Sequence, residues 1–408
     1  MTKDAYVWLK GIINTVNKAV ERVRELSSKD YMKAIEFMTG DLYSAVSAVN
    51  LQLLDDESVD FCDMNYLEGR LLDYAHKEEL VRQYNLWYKT MTVILDEQYN
   101  AQNNWDEKFI KLMNRVKYVA VDRLVDSAKC SLTKLNDEVI DKLCAYYQGL
   151  EDMWGTLDIA NGRYDVITNR VTALKQHRED FIWLYGRLGD WRSKIVLAGM
   201  LYHWITFDLN YIHGMREANF TDYFDLDLLQ CDEEDVVVDL GAWTGDSMQN
   251  YIHTYSKYKK IYCYEIDKCS IDVAKKNLAE FSNIEFRNKG VGNRAGKMYL
   301  DGKPLSSCNK VVSVDTGNEI EVVSLDDDLM EKVTLIKMDI EGAEQAALSG
   351  CRRHIKEEMP KLLISVYHNN EDIWKIPRMV EEMNSNYRFY LRSNGRQWGP
   401  AEIVFFAL

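Results

Sequence analysis

Val236-Val237-Val238-Asp239-Leu240-Gly241-Ala242-Trp243-Thr244-Gly245 runs from a strand-like apolar segment into a turn with two glycines, and a helix-like stretch opens at Asp246-Ser247. Glycine lets the backbone approach a ligand closely, and the start of a helix presents unpaired N–H groups. A second apolar run, Tyr262-Cys263-Tyr264, ends in Glu265, 20 residues past Gly245. A carboxylate at that distance is placed to accept both hydroxyl hydrogens of a ribose. The bland reading of the same residues is a buried strand followed by a structural turn.

The spacing speaks to which nucleoside is meant. A dinucleotide fingerprint reads G-x-G-x-x-G, with a pyrophosphate at the helix N-terminus. Here the order is Asp239-x-Gly241-x-x-x-Gly245, and a carboxylate two residues before the turn would oppose a pyrophosphate and favour a cation. S-adenosylmethionine carries a sulfonium and an ammonium and no phosphate, so it suits this turn.

Outward from the glycine turn, short β-branched and aromatic runs alternate with helix-like stretches. The expected strands are Val236–Leu240, Ile261–Glu265, Ile284–Arg287, Val333–Met338, Leu362–Tyr367, Tyr387–Leu391 and Ile403–Phe406. Such alternation predicts an α/β domain over 231–408, with a mostly parallel sheet covered on both faces. Residues 1–180 differ in kind: they hold six glycines, and all four prolines lie at Pro304 or beyond. Leu9, Ile12, Ile13, Val16, Val20, Val23 and Leu26 draw one helical stripe, and further stripes follow near 30–54, 65–100, 105–132 and 136–154. An all-α bundle or array is expected over 1–180, with 181–230 as a helical bridge and lid. Tyr84, Trp87 and Tyr88 fit a core or interface face better than a ligand groove, and the acidic run at 55–63 fits a solvated loop.

The chain has 408 residues, with 50 Lys plus Arg against 65 Asp plus Glu and a formal net charge of −15. Both halves share the acidic excess, which argues against nucleic-acid and anionic-membrane roles. The longest apolar stretch, Ile195–Phe207, is 13 residues, short of the roughly 20 that span a bilayer. Lys3, Asp4 and Lys10 leave no basic-then-apolar leader, so a cytoplasmic location is expected. Eight cysteines without C-x-x-C spacing predict reduced thiols, most of them buried.

Five ordered motifs then carry a resemblance. The glycine block with Tyr223-Phe224-Asp225 before it, Ser324-Leu325-Asp326, Ile336-Lys337-Met338-Asp339-Ile340-Glu341-Gly342-Ala343-Glu344 with Leu348 and Gly350, and Val366-Tyr367-His368 with Ile376-Pro377 resemble the FkbM family of S-adenosylmethionine-dependent methyltransferases over about 181–408. The resemblance implies a Rossmann-like seven-stranded methyltransferase sheet with an antiparallel last strand, and O-methylation of hydroxyls on sugars or glycosylated metabolites. It implies cofactor contacts at Asp239, Gly241, Ala242, Trp243, Gly245, Asp246 and Ser247. Glu265 and Ile266 would face the ribose, Asn288 and Val291 the adenine, and Asp339 the edge of the cofactor site. Trp243 is expected either to cover the cofactor or to pack on the neighbouring helix.

Methyl transfer to a hydroxyl gains from alignment and from a base that takes the proton as the bond forms. His368, with an ordinary pKa of about 6.5, is the expected base, and Asp339, Glu341 and Glu344 are the alternatives. Glu341 and Glu344 stand three residues apart at a helix start, where a carboxylate is often only a cap. Lys337 would neutralise Asp339 or bind substrate. Asp339, Glu341 and His368 could also hold magnesium, although no ligand spacing fixes a metal and none is assigned. The expected partners are a sugar or glycoconjugate acceptor and, through residues 1–180, a second copy or another protein. A non-catalytic scaffold and an N-methyltransferase are the competing readings.

Overall fold

The computed structural model describes residues 104–220, 223–395 and 398–408. The stripes expected before residue 104, the acidic run at 55–63, Cys62 and Tyr84, Trp87 and Tyr88 lie outside the described residues. By its contacts the chain divides into two compact units, Met1–Ala120 and Val121–Leu408. In the first, the described helix Asn104–Tyr118 carries Asp106 and Glu107 in its first turn and Arg115 and Lys117 in its last, charges that complement the helix dipole. The single stripe expected over 105–132 is therefore two helices, since a break precedes Val121–Leu132.

The second unit opens with helices. Val121–Leu132, Asp137–Gln148, Asp165–Gln176 and Arg178–Arg187 precede Trp191–Thr206. The last of these is capped by Asp190, whose carboxylate accepts the Ser193 N–H at 2.8 Å, and it is buried almost all round from Val196 to Ile205. It packs between the helices before it and the strand Phe389–Ser393. This explains the longest apolar stretch: a helix enclosed by protein needs no polar face. Among the described residues, no helix is long and apolar enough to cross a membrane. Residues 121–180 thus share one unit with the sheet, although their periodicity alone groups them with the helices before them.

The seven strands of the main sheet are β1 Val236–Leu240, β2 Lys260–Tyr264, β3 Ile284–Arg287, β4 Leu335–Met338, β5 Lys361–Ser365, β6 Phe389–Ser393 and β7 Ile403–Ala407. Their order is 6-7-5-4-1-2-3. β3, β2, β1, β4 and β5 run parallel, and β7 is antiparallel to both of its neighbours. Every residue of β1, β4 and β7 is buried, as expected of strands covered on both faces. One core cluster joins Val237, Ile261, Cys263, Leu335, Leu363 and Phe406 to Met248, Tyr251 and Phe224. The strand order reverses between β1 and β4, so a crevice opens at their carboxyl ends, where open α/β sheets hold ligands.

Two features depart from the expected outline. A four-stranded sheet of Gly290–Val291, Gly296–Asp301, Lys310–Val312 and Glu319–Val323 stands between β3 and β4. Its strands are short, charged and largely half-exposed, so they lack the apolar run that marks a buried strand. Of the seven described cysteines, only Cys263 and Cys351 are buried, while Cys130, Cys269 and Cys308 are exposed. The expectation of mostly buried thiols is corrected: those three sit on surface helices and a loop rather than in the strands. All seven are free thiols.

Buried Arg392 of β6 ties the front of the unit together. It bonds Asp225 and the Asp190 cap, and donates to Ser193 Oγ at 3.0 Å. The segment 223–225, reached this way, brings Tyr223 to the crevice.

Candidate active site

A cavity of about 410 Å³ lies over the carboxyl ends of β1 and β4, within the size range of small-molecule sites. Its floor is the glycine turn. Gly241 (φ +83°) and Gly245 (φ +81°) both adopt the left-handed region. A Cβ on Gly241 would lie 1.9 Å from the Asp339 carbonyl oxygen, so only glycine lets the β1 turn rest against the end of β4. Gly245 caps the helix Asp246–Tyr255 without a side chain and leaves room for Leu278.

Most of the expected cofactor residues line this cavity: Gly241, Trp243, Asp246, Ser247, Glu265, Ile266, Val291 and Asp339. Glu265 accepts the Trp243 N–H at 2.8 Å and the Asp267 N–H at 2.7 Å, which fixes its carboxylate at the rim. Each oxygen keeps a further lone pair. Burial raises its pKa, partly offset by those N–H bonds. Trp243 lines the cavity, and its indole N–H donates to the Leu305 carbonyl at 3.1 Å, in a loop rather than on the neighbouring helix. That bond ties the turn to the 305–309 loop, whose Ser306, Ser307, Cys308 and Asn309 form another wall.

Asp239, Ala242, Gly245 and Asn288 take positions behind this lining. Asp239 is fully buried, with Lys337 Nζ 3.0 Å away and the Ser247 hydroxyl donating to it at 3.0 Å. β1 and β4 pair in register at these two residues. The charge of Asp239 is therefore answered inside the sheet and does not face a ligand. Lys337 also donates to the Gly241 carbonyl at 2.8 Å. Burial works against its charge, yet Asp239 and Asp339 hold its pKa above the ordinary value. Lys337 thus supports the turn and makes its ion pair with Asp239, while, against burial, its charge also holds the Asp339 pKa down. Ala242 is buried, and Asn288 donates to the Glu265 and Ile266 carbonyls at 2.8 and 3.0 Å, holding the segment after β2.

The acidic end of the cavity grows from the β4 turn. After Met338 the chain passes Asp339 and reverses at Glu341 (φ +56°) and Gly342 (φ +100°). A non-glycine residue held in that region is a strained position of the kind found at functional sites. Glu344 fixes the reversal, accepting the Ile340 N–H at 2.9 Å and the Gly342 N–H at 3.0 Å. The Tyr223 hydroxyl donates to Asp339 Oδ2 at 2.7 Å and lies 3.0 Å from Ser365 Oγ.

His368, three residues past β5, is 1% exposed and lies behind the cavity wall. Its Nδ1 is 2.8 Å from Glu344 Oε1, and its Nε2 is 3.4 Å from Asp339 Oδ1 and 3.7 Å from Glu341 Oε2. Burial opposes a charge there, but Glu344, Asp339 and Glu341 together push its pKa up to about 10. Those carboxylates favour the protonated ring in the free protein, whereas the expected base role needs a neutral one. Glu341 is pushed the other way, up to about 7, by burial and by Asp339 and Glu344 against the pull of His368. Asp339, Glu341 and His368 each offer one ligand atom within 4.8 Å of the others.

The far wall was not legible in the sequence as part of a site. Tyr146, Leu150, Met153 and Trp154 line it from the front helices, together with Tyr367 and Glu402. The Trp154 indole donates to the Tyr367 carbonyl at 2.7 Å, and its ring lies 4.5 Å from buried Arg170. Arg170 donates in turn to the Tyr147 hydroxyl at 3.1 Å.

Residues 239–397 match the family described as the methyltransferase FkbM domain. The FkbM methyltransferase domain is thus shown for residues 239–397. No curated protein matches the chain significantly. Among solved structures, the methyltransferase FkbM from Methylobacillus flagellatus KT is similar at 23% identity and a TM-score of 0.53, covering 71% of this chain and 78% of its own. That share exceeds 239–397, so the common fold extends beyond the FkbM domain. A putative methyltransferase from Streptococcus mutans in complex with SAH matches at 12% identity and a TM-score of 0.29, over 43% of this chain and 89% of its own. Aeropyrum pernix fibrillarin with natively bound S-adenosyl-L-methionine matches at 11% identity and 0.29, over 43% and 67%. All the sequence-derived site residues fall inside the matched range, which opens at Asp239, whereas Tyr146, Trp154 and Tyr223 precede it.

Proposed function

We propose that this protein is an S-adenosylmethionine-dependent O-methyltransferase with a Rossmann-like sheet, acting on a hydroxyl of a sugar, glycan or glycosylated metabolite. The observation that carries the reading is the charge of the cavity. Asp246, Glu265, Asp339, Glu341 and Glu402 line it, while its two lysines are already paired: Lys337 with Asp239 at 3.0 Å, and Lys289 with Asp328 and Glu321, each at 3.0 Å. A phosphate-bearing cofactor would find no unpaired lysine in this wall. A cofactor carrying a sulfonium and an ammonium is matched by it.

Gly241, Trp243, Asp246, Glu265, Ile266 and Val291 would hold the cofactor, with Glu265 on the ribose hydroxyls. When bound, S-adenosylmethionine supplies a methyl group already activated by positive sulfur. The chain then has to align an acceptor oxygen and exclude water. Tyr146, Trp154, Tyr223 and Tyr367 offer aromatic faces, which suit the apolar faces of a sugar ring, and the carboxylates among them accept its hydroxyls. As the acceptor oxygen bonds to the methyl carbon, its proton passes to a carboxylate of the acidic end, leaving the methyl ether and the neutral thioether.

Calorimetry with S-adenosylmethionine and S-adenosylhomocysteine tests this directly. Binding of both is expected, and Glu265→Ala should weaken both about tenfold or more, since bonds to a charged group are worth roughly 1.5–3 kcal/mol. No binding of either would reject the enzyme and favour a scaffold. With nucleotide sugars, glycans and glycolipids as acceptors, mass spectrometry should locate the new methyl on oxygen, and a methylated amine would replace the O-transfer reading.

A further inference from the structure

We infer that Asp339, Glu341 and His368 form a binding site for a divalent transition-metal cation at the acceptor end of the cavity. The metal's binding stands on geometry alone. Its use in holding an acceptor oxygen rests on the methyl-transfer reading above.

The first observation is the donor set. Asp339 Oδ1 and Glu341 Oε2 lie 3.4 and 3.7 Å from His368 Nε2, and one ligand atom from each residue falls within 4.8 Å of the others. Bonds of about 2.0–2.2 Å to imidazole nitrogen and carboxylate oxygen place donors around one ion roughly 3–4.4 Å apart. The second observation is independent of the acidic cluster. His368 Nε2 is buried and makes no hydrogen bond among the described residues, and the same is true of Asp339 Oδ1. A buried polar atom normally has a hydrogen-bond partner, and these two, 3.4 Å apart, meet each other's charge rather than a hydrogen bond across the same point.

The surroundings have the form that metal sites require. A ligating histidine directs its other ring nitrogen to a carboxylate that sets its orientation. His368 Nδ1 lies 2.8 Å from Glu344 Oε1, and Glu344 is itself clamped by the Ile340 and Gly342 N–H groups. Asp339 is held in the same way, since Tyr223 donates to its Oδ2 and leaves Oδ1, which accepts no hydrogen bond, facing His368. Glu341 is presented by a backbone fixed at φ +56°. Asp339 and Glu341 also line the cavity, so the cation would keep positions open toward it, as catalytic metals do. Mixed imidazole and carboxylate donors suit manganese, iron, cobalt or zinc better than magnesium, which favours oxygen alone. A cation here would take two adjacent hydroxyls of an acceptor and make the bound hydroxyl more acidic.

The experiment uses full-length protein stripped with chelator, with MnCl2 as the probe and free Mn2+ followed by electron paramagnetic resonance. One Mn2+ per chain is expected, with nitrogen modulation in the spin-echo spectrum from His368. Asp339→Asn and Glu341→Gln should each weaken binding at least tenfold, while Asp315→Asn in an exposed loop serves as the surface control. Far-ultraviolet circular dichroism of each variant confirms that it is folded. No saturable binding, binding without nitrogen modulation, or binding that Asp339→Asn and Glu341→Gln leave unchanged would each overturn the site. Calorimetry with S-adenosylmethionine on the same samples separates the two proposals. Cofactor binding without Mn2+ binding removes only the metal, and Mn2+ binding without cofactor binding removes only the methyl-transfer reading.

Discussion

The Tyr223 hydroxyl donates to Asp339 Oδ2 at 2.7 Å, joining residues 116 positions apart. Tyr223 comes from the segment before the sheet and Asp339 from the end of β4, so one bond couples the front of the unit to its acidic centre. Tyr223→Phe keeps the ring and removes the bond. Turnover should fall about tenfold or more, as a hydrogen bond to a charged group is worth roughly 1.5–3 kcal/mol, while cofactor affinity stays within about twofold. Equal losses in turnover and cofactor affinity would assign Tyr223 to general folding instead.

Gly241 is held at φ +83° against the Asp339 carbonyl. Gly241→Ala has no room for its methyl and no comfortable backbone conformation, so two penalties act together. Cofactor binding should be lost by calorimetry, with the thermal midpoint several degrees lower. A variant that binds normally would mean that the turn can move away from β4.

The buried Asp239–Lys337 pair makes a sharper stability prediction. Lys337→Met leaves a carboxylate sealed in the sheet without its cation and should cost about 3–5 kcal/mol, whereas replacing both members by apolar residues of similar size should recover much of that loss. Urea denaturation of the single variant and of Asp239→Leu with Lys337→Met measures the difference. If the double variant is no more stable than the single, charge is not what the pair contributes.

His203 gives the chain a dependence on pH that is separate from catalysis. It is fully buried, and burial, reinforced by the charge of Arg170, pushes its pKa down to about 3. The unfolded chain takes up that proton near pH 6.5, so it binds more protons than the native state between about 6.5 and 3. The contribution of His203 to stability is complete above about pH 6.5 and falls as pH drops, by up to roughly 1.4 kcal/mol per unit. His203→Gln should flatten the decline of the urea midpoint between about pH 6.5 and 4.5. Parallel curves for parent and variant would place the acid sensitivity elsewhere.

The central parallel strands were legible because burial on both faces demands uninterrupted apolar runs, as in Val236–Leu240, while the edge strand Ile284–Arg287 was marked by its alternation of Ile284 and Phe286 with charged residues. The small sheet was not, since Glu319–Val323 mixes charged with apolar residues and exposes Glu319 and Glu321, and nothing in such a run requires a partner. The cavity residues were recovered where a backbone need dictates the residue type, as at Gly241, or where a strand end fixes position, as at Glu265 and Asp339. What could not be read was pairing. Asp239 meets Lys337 only through the register of β1 and β4, and three carboxylates meet His368 only through the approach of two strand ends and a turn. Those encounters decide which charges face the cavity and which are consumed behind it.

Tyr146 and Trp154 line the cavity, yet they lie more than 80 residues before the FkbM domain begins. The parts that would choose an acceptor and the parts that would hold the methyl donor are therefore on separate stretches of chain, encoded independently. Acceptor preference could be redirected by exchanging the helices around residues 137–154 while the glycine turn and Glu265 remain untouched, and a fragment cut at the domain boundary would keep the donor residues while losing this wall.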